Sequence, residues 1–529
     1  MFSRILHTIK HLKFIQILYQ VKYRIFPRIN GVIKLKQPHS ITPLNRPDFV
    51  LLEPFILKPI SSEVDTFTFL NISHKFTGII DWNFKNYGML WTYNLNYMDY
   101  VIQQNAVNES SLQLIWNYID NISQRSIGLD PYPTSLRIIN WIKFLSINEV
   151  SSEIINSSLY AQCRILSKKL EYHLMANHIL ENGFSLIFGA FYFKDKELYK
   201  IGSKIIKREL KEQILNDGAH FELTPMYHQI LLDRLLDCIN LLKNNIFFNK
   251  QDALLNLMNV KATRMLSWLN SITFKTGEIP LLNDSAVCIA PTTEELNQYA
   301  LRLGFSKDIK PAILIDSGYR KYFNNKYECV LDIGNIGPSY QPGHAHADTF
   351  NFVLNIYNNP FIIDQGVSTY ENGEIRLKER GTAAHNTVTI NDNNSSDVWS
   401  SFRVGLRAKV KVIKDDFNHI IAQHNGFRNL HTTHKREWIF SDNSIIINDT
   451  ITGKKKNGTF YLWLSPAIIP TIIRDNFIET DLATIEFTNA TSVSINISRI
   501  PDGYNKYVNT NIIKVSFCNH LLTKINTKD

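Results

Sequence analysis

The stretch LLDRLLDCINLL, residues 231–242, sets the reading of the first half of the chain. Leu231, Leu232, Leu235, Leu236, Ile239 and Leu242 fall at i, i+3, i+4 spacing, which lays an apolar stripe along a helix. SLRIINWIKFL at 135–145 repeats the pattern, and helical spacing persists from about residue 95 to 315. Short loops such as DPYPTS (130–135) and NDGAHFELTP (216–225) punctuate it. Paired helices joined this way predict a helical toroid or solenoid, although no fixed-period repeat is visible. From about residue 326 the period changes to two. Phe350, Phe352, Leu354 and Ile356 alternate with other residues, as do Val404, Leu406, Ala408, Val410 and Val412, and then Val493, Ile495 and Ile497. Turn signals at DDFN (415–418), SDNS (441–444) and KKNG (455–458) separate these runs. The second half therefore reads as an antiparallel β domain, a sandwich with one apolar face per strand. Helices first and strands second make an α+β chain of separate domains.

The 529 residues carry a formal net charge of +9, from 57 basic and 48 acidic residues. Arg4, Lys10, Lys13, Lys22, Arg24, Arg28, Lys34, Lys36 and Arg46 precede the first acidic residue, and removing these nine leaves 48 against 48. The excess thus sits in a basic N-terminal arm, and attraction for an acidic ligand elsewhere needs a local cleft. The arm mixes basic with apolar residues. It has no run long enough to span a bilayer and no apolar stretch leading to a small-residue cleavage site. Two readings stay open for it: helices packed on the body, or a peripheral contact with an anionic membrane surface. Nucleic-acid binding has no recognisable module to rest on. Five scattered cysteines without CxxC spacing argue against a disulfide framework or a thiolate zinc site.

Three segments could carry chemistry. In ANHILENG (176–183), Asn177, His178, Glu181 and Asn182 sit at spacings that share a helical face. That places amide, imidazole and carboxylate together, or else makes a buried, satisfied polar cluster. In DGAHFELTPMYHQ (217–229), Thr224 and Pro225 read as N-cap and first helical residue. Tyr227 then lies in the first turn, where the helix dipole lowers the cost of a phenolate; a capped helix start with a packed Tyr is the plainer alternative. In PGHAHADTFNF (342–352), His344, His346 and Asp348 alternate as the chain enters a strand, which puts them on one face. Asp364 and His385 follow near strand ends. His346, Asp364 and His385 make a suitable zinc set, with a hydrogen-bonded His pair as the alternative.

Together with WTYNLNYMDY (91–100), DPYPTSLRIINW (130–141), GEIPLLNDS (277–285), GHAHAD (343–348) and ERGTAAHNTVTIND (379–392), these segments resemble the heparinase II/III family of polysaccharide lyases over roughly residues 85–400. The resemblance implies an incomplete (α/α) toroid followed by an antiparallel β-sandwich, with a cleft between them. The basic arm would span 1–50, the toroid 51–320 and the sandwich 325–529. It implies a lyase that cleaves a uronic-acid-containing polysaccharide by β-elimination. Asn177 and His178 would meet the substrate carboxylate, and Glu181 would modulate that His. Tyr227 and His344 would be catalytic, and His346, Asp364 and His385 would hold a structural Zn2+. Asn94, Arg137 and Arg380 would contact substrate or support the site. An acidic polysaccharide is the implied partner and a bacterial surface polymer the leading class; the resemblance implies the cell envelope or periplasm, while the arm, read without a signal peptide, leaves a cytoplasmic or membrane-peripheral location open. Two rivals share these residues: a non-catalytic exopolysaccharide-binding or assembly protein, and a metal-assisted hydrolase.

Overall fold

A computed structural model of the chain describes residues 2–25, 41–63, 65–122 and 126–528. Arg28, Lys34 and Lys36 of the basic arm lie outside them. The arm opens with two helices, α1 (Phe2–Ile9) and α2 (Phe14–Ile25). Ser62–Glu63, Thr66–Phe69 and Ile72–Lys75, read above as part of the toroid, instead form a small three-stranded antiparallel sheet. The helical body follows as α3 (Met89–Tyr97), α4 (Asn108–Asn121), α5 (Pro131–Ile147), α6 (Glu153–Lys168), α7 (Ala176–Phe193), α8 (Lys196–Gln213), α9 (Pro225–Asn244), α10 (Gln251–Ile272) and α11 (Thr293–Arg302).

Contacts sort these helices into two rings. α3, α5, α7, α9 and α11 touch one another in succession, while α4, α6, α8 and α10 form a second series outside them. The sequence dictates the assignment. α7, ANHILENGFSLIFGAFYF, is apolar on nearly every side and must be enclosed, whereas α8, KELYKIGSKIIKRELKEQ, has a charged face that must stay wet. Close approach of the rings uses small residues: a methyl at Gly183 of α7 would meet the Ile205 side chain of α8 at 2.8 Å. This is the helical toroid that the periodicity predicted.

The C-terminal half is antiparallel throughout. A four-stranded sheet (Tyr319–Phe323, Tyr327–Asp332, Phe352–Ile356, Asn359–Ile362) faces a ten-stranded sheet, and buried side chains from both build one core. Thr432–Phe440 alternates buried and half-buried along its length, as a period of two requires. Two predicted strands differ. The run 404–412 is split into a two-residue strand (Arg403–Val404) and an edge strand (Val410–Asp416), with a bulge at Val412 to Lys414. The segment 340–351, read as entering a strand, is irregular until Phe352. Its alternation is set by what it meets at the domain seam, not by a pleat.

Candidate active site

α7 starts abruptly. Met175 and Ala176 both take left-handed conformations, at φ 61 and 51. Such strain in non-glycine residues is costly and persists only where surrounding contacts hold it. Asn182 supplies one such contact: its side chain accepts from the Glu171 backbone N–H (2.9 Å) and donates to Glu171 Oε2 (2.9 Å). Glu171 Oε1 is left for His178 Nδ1, 3.0 Å away. Every residue of α7 is buried except His178, which is partly exposed and packs against Tyr132, ring centroids 4.7 Å apart. Burial lowers the His178 pKa, but Glu171, with lesser help from Glu222 and Glu181, more than offsets it, so the net shift is upward. Asn177 beside it is buried and donates to Glu222 Oε2 at 2.9 Å.

α9 begins at Pro225, as the Thr224-Pro225 pair predicts, although the Thr224 side chain makes no cap bond. Tyr227, in the first turn, is half-buried and packs on His344, with ring centroids 4.1 Å apart and planes tilted by 32°. Its hydroxyl is 3.0 Å from that of Tyr370. Burial drives the Tyr227 pKa well above its ordinary value. The sequence argument for an easier phenolate is therefore reversed, because desolvation outweighs the helix dipole. Burial thus keeps the Tyr227 hydroxyl protonated.

His344 is anchored by a residue that the sequence reading quoted but gave no role. Asp284, fully buried between α10 and α11, accepts from His344 Nδ1 (2.9 Å) and His346 Nε2 (2.8 Å). It also receives both guanidinium ends of the buried Arg376 (2.5 and 2.6 Å). Burial would raise the Asp284 pKa, but Arg376 and the two histidines hold it well below the usual carboxylate range. Arg376 also lies beneath Tyr370 and Phe402, 5.1 and 5.5 Å from their ring centroids.

The proposed metal ligands lie deeper. His346 and His385 are fully buried, with ring centroids 5.2 Å apart. His346 Nδ1 and His385 Nε2 have no hydrogen-bond partner among the described residues, and nor does Asp348 Oδ2. Two imidazoles on one tetrahedral zinc, with Zn–N about 2.0 Å, have centroids roughly 5 Å apart, so this pair fits. Asp364 fits less well, because its Oδ2 already accepts from His385 Nδ1 (2.8 Å) and from Asn351. Among the described residues no three His, Cys, Asp or Glu side chains converge as a ready metal site.

Three expected contacts are corrected. Arg137 is buried and spends its donors on Gln162, the Asn96 carbonyl and Thr134, which ties α5 to α3 and α6. Arg380 is buried and binds the carbonyls of Ala345, Ser400 and Arg403, so it shapes the loop that carries His344. Neither presents a donor to substrate. Glu181 does not share an exposed face with His178 either. It is fully buried, and burial pushes its pKa up to about 7 against the nearby Arg234. Glu171 takes the part expected of it. Asn94 stays half-buried on α3, with its amide donating to the Leu90 carbonyl. Glu222, Asp284 and Tyr132 lay inside quoted segments; Glu171, Tyr370 and Arg376 carried no signal in spacing or composition.

Comparison with known proteins agrees with this architecture. Residues 83–310 match the family described as Heparinase II/III N-terminus, and residues 311–516 match Heparinase II/III-like, C-terminal. A heparin-sulfate lyase of Bacteroides stercoris is 26% identical over 318 residues, covering 54% of this chain and 45% of that protein. One from Pedobacter heparinus is 23% identical over 288 residues, covering 47% and 43%. The chain thus aligns with less than half the length of these relatives. Among solved structures, a mutant heparan sulfate lyase from Pedobacter heparinus superposes with a TM-score of 0.60 at 18% identity, over 92% of this chain and 86% of that one. A heparinase III gives 0.62 at 15% identity, over 82% and 75%. The helical body, the sandwich and the two successive family matches lead to one assignment: the chain belongs to the heparinase II/III-like family.

Proposed function

We propose that this protein is a polysaccharide lyase that cleaves a uronic-acid-containing polysaccharide, a bacterial surface polymer or glycosaminoglycan-like chain, by β-elimination. The observation that carries the reading is the contact of Tyr227 with His344, ring centroids 4.1 Å apart, a phenol from the toroid against an imidazole from the β domain. The curated relatives with heparin-sulfate lyase names support the same reaction class.

Elimination across C4–C5 removes a carbon-bound proton beside a carboxyl group and expels the C4 oxygen. His178, whose pKa is raised, carries positive charge toward the substrate carboxylate, while the buried Asn177 beside it donates its amide to Glu222 and backs the site from within. Donors aimed at the charge that develops are the main source of rate. His344, with Nδ1 tied to Asp284, offers Nε2 to the C5 proton. Tyr227, kept protonated by burial, delivers its proton to the departing O4. Tyr370 holds the Tyr227 hydroxyl in place.

A zinc ion belongs to the same proposal, held by His346 and His385 with Asp364 or Asp348 as carboxylate ligand after a side-chain adjustment. The two partnerless imidazole nitrogens support it. When bound, zinc would brace the segments on either side of His344, and no reaction step passes through it. Metal analysis of purified protein should give close to one zinc per chain; none would leave these residues as a hydrogen-bonded cluster.

The deciding experiment incubates the enzyme with a panel of uronate polysaccharides and follows ultraviolet absorbance of the unsaturated product. Tyr227→Phe should lower kcat by about a thousandfold or more at unchanged stability. Reducing ends without absorbance would mean hydrolysis, and near-normal activity of the variant would remove Tyr227 from the mechanism.

A further inference from the structure

The basic arm does more than pack on the body. α2 is fixed by its inner side: Gln16 is buried and donates to the Leu174 carbonyl, the Tyr23 hydroxyl donates to the Leu170 carbonyl, and Tyr19 packs on Tyr172 with centroids 4.9 Å apart. Its outer side is apolar. Phe14, Ile17, Leu18 and Val21, at i, i+3, i+4 and i+7, are 79, 40, 49 and 43% exposed. This reverses the usual arrangement of a surface helix, whose apolar stripe faces the core. α1, anchored to the β domain by Arg4 on Asp397 and by Thr8 on Val404, likewise leaves Leu6 and Ile9 exposed.

Charge selects what covers this stripe. Arg4 and Lys13 are neutralised by Asp397 and Glu212, but Lys10 and Arg24 are exposed at either end of the stripe. Lys22 lies over the Tyr19 and Tyr23 rings. No acidic residue occurs before Asp48. An apolar stripe flanked by cations, with no compensating anions of its own, matches the boundary between acyl chains and anionic headgroups. A second protein copy would bring the same cations against each other. We infer that α1 and α2 form a docking face for an anionic lipid bilayer. The helices lie in the interface, with Phe14, Ile17, Leu18 and Val21 dipping into the acyl boundary. No helix among the described residues is long and apolar enough to cross a membrane, so the contact is peripheral. It is independent of the lyase reading and lies on residues that take no part in the proposed chemistry.

The test is sedimentation of the full chain with phosphatidylglycerol–phosphatidylcholine vesicles and with pure phosphatidylcholine vesicles. Binding to the anionic vesicles is expected, weakening as salt is raised. Phe14→Ser/Leu18→Ser and Lys10→Glu/Arg24→Glu should each weaken binding by about tenfold or more while melting temperature stays unchanged. Absence of binding to anionic vesicles, or binding that neither pair alters, would overturn the inference. So would sedimentation velocity showing a dimer in solution that Phe14→Ser/Leu18→Ser dissociates, because a second copy would then cover the stripe.

Discussion

His178 and His346 both bond a buried carboxylate, yet they titrate in opposite directions. Glu171 serves one imidazole, the partly exposed His178, and its charge carries the His178 pKa upward against burial. Asp284 serves two imidazoles and a guanidinium, deep in the seam, and His346 is lowered to about 4, chiefly by burial and despite Asp284. The difference shows that a histidine–carboxylate pair has no fixed meaning. Where the carboxylate belongs to one ring, it tunes charge; where Arg376 already satisfies it, it mainly fixes position.

Three substitutions sharpen or break this contrast. Asp284→Asn should have the largest effect. It leaves Arg376 as a buried, poorly compensated cation, at a cost of about 3–5 kcal/mol in stability, together with loss of lyase activity. Urea unfolding beside the absorbance assay reads both, and a change below about 1 kcal/mol would mean that Asp284 is no anchor. Glu181→Gln should come next. Folding favours the protonated Glu181 carboxyl, whose pKa is about 7 against an ordinary 4.5. That contribution is complete below pH 4.5 and is lost as pH rises through 7. Between those limits the wild type should therefore lose about 2–3 kcal/mol relative to the variant. Parallel unfolding midpoints across the window would refute the assignment. Glu171→Gln should be smallest, about a tenfold drop in kcat/KM at neutral pH. Because Glu171 raises the His178 pKa, the protonated ring persists to higher pH in the wild type and is lost as pH rises through the shifted value. The alkaline limb of the variant's pH profile should move to lower pH; an unmoved limb would separate His178 from substrate charge.

Much of this was legible in order and period. The inner helices announce themselves by apolar residues on all sides, and Thr432–Phe440 by strict alternation. Tyr227 and His344 lay in quoted segments, Tyr227 in the first turn after Thr224-Pro225, but their catalytic roles were implied by the family resemblance alone. Their partners were not legible. Glu171 lies seven residues before His178 but outside its helix, and reaches it only through the sharp turn at Met175 and Ala176. Arg376 meets Asp284 across 92 residues of chain, a separation at which local pattern carries no information. Arg137 and Arg380 misled for a related reason. Arginines in polar motifs look like ligand contacts, and nothing in one sequence distinguishes a guanidinium facing a cleft from one that ties carbonyls together in the interior.

Asp284 has a final consequence. It comes from the helical domain, while all the side chains it binds come from the other. The anchor for His344 therefore exists only while the halves are closed on one another, and a hinge opening of a few ångström would let the ring go slack.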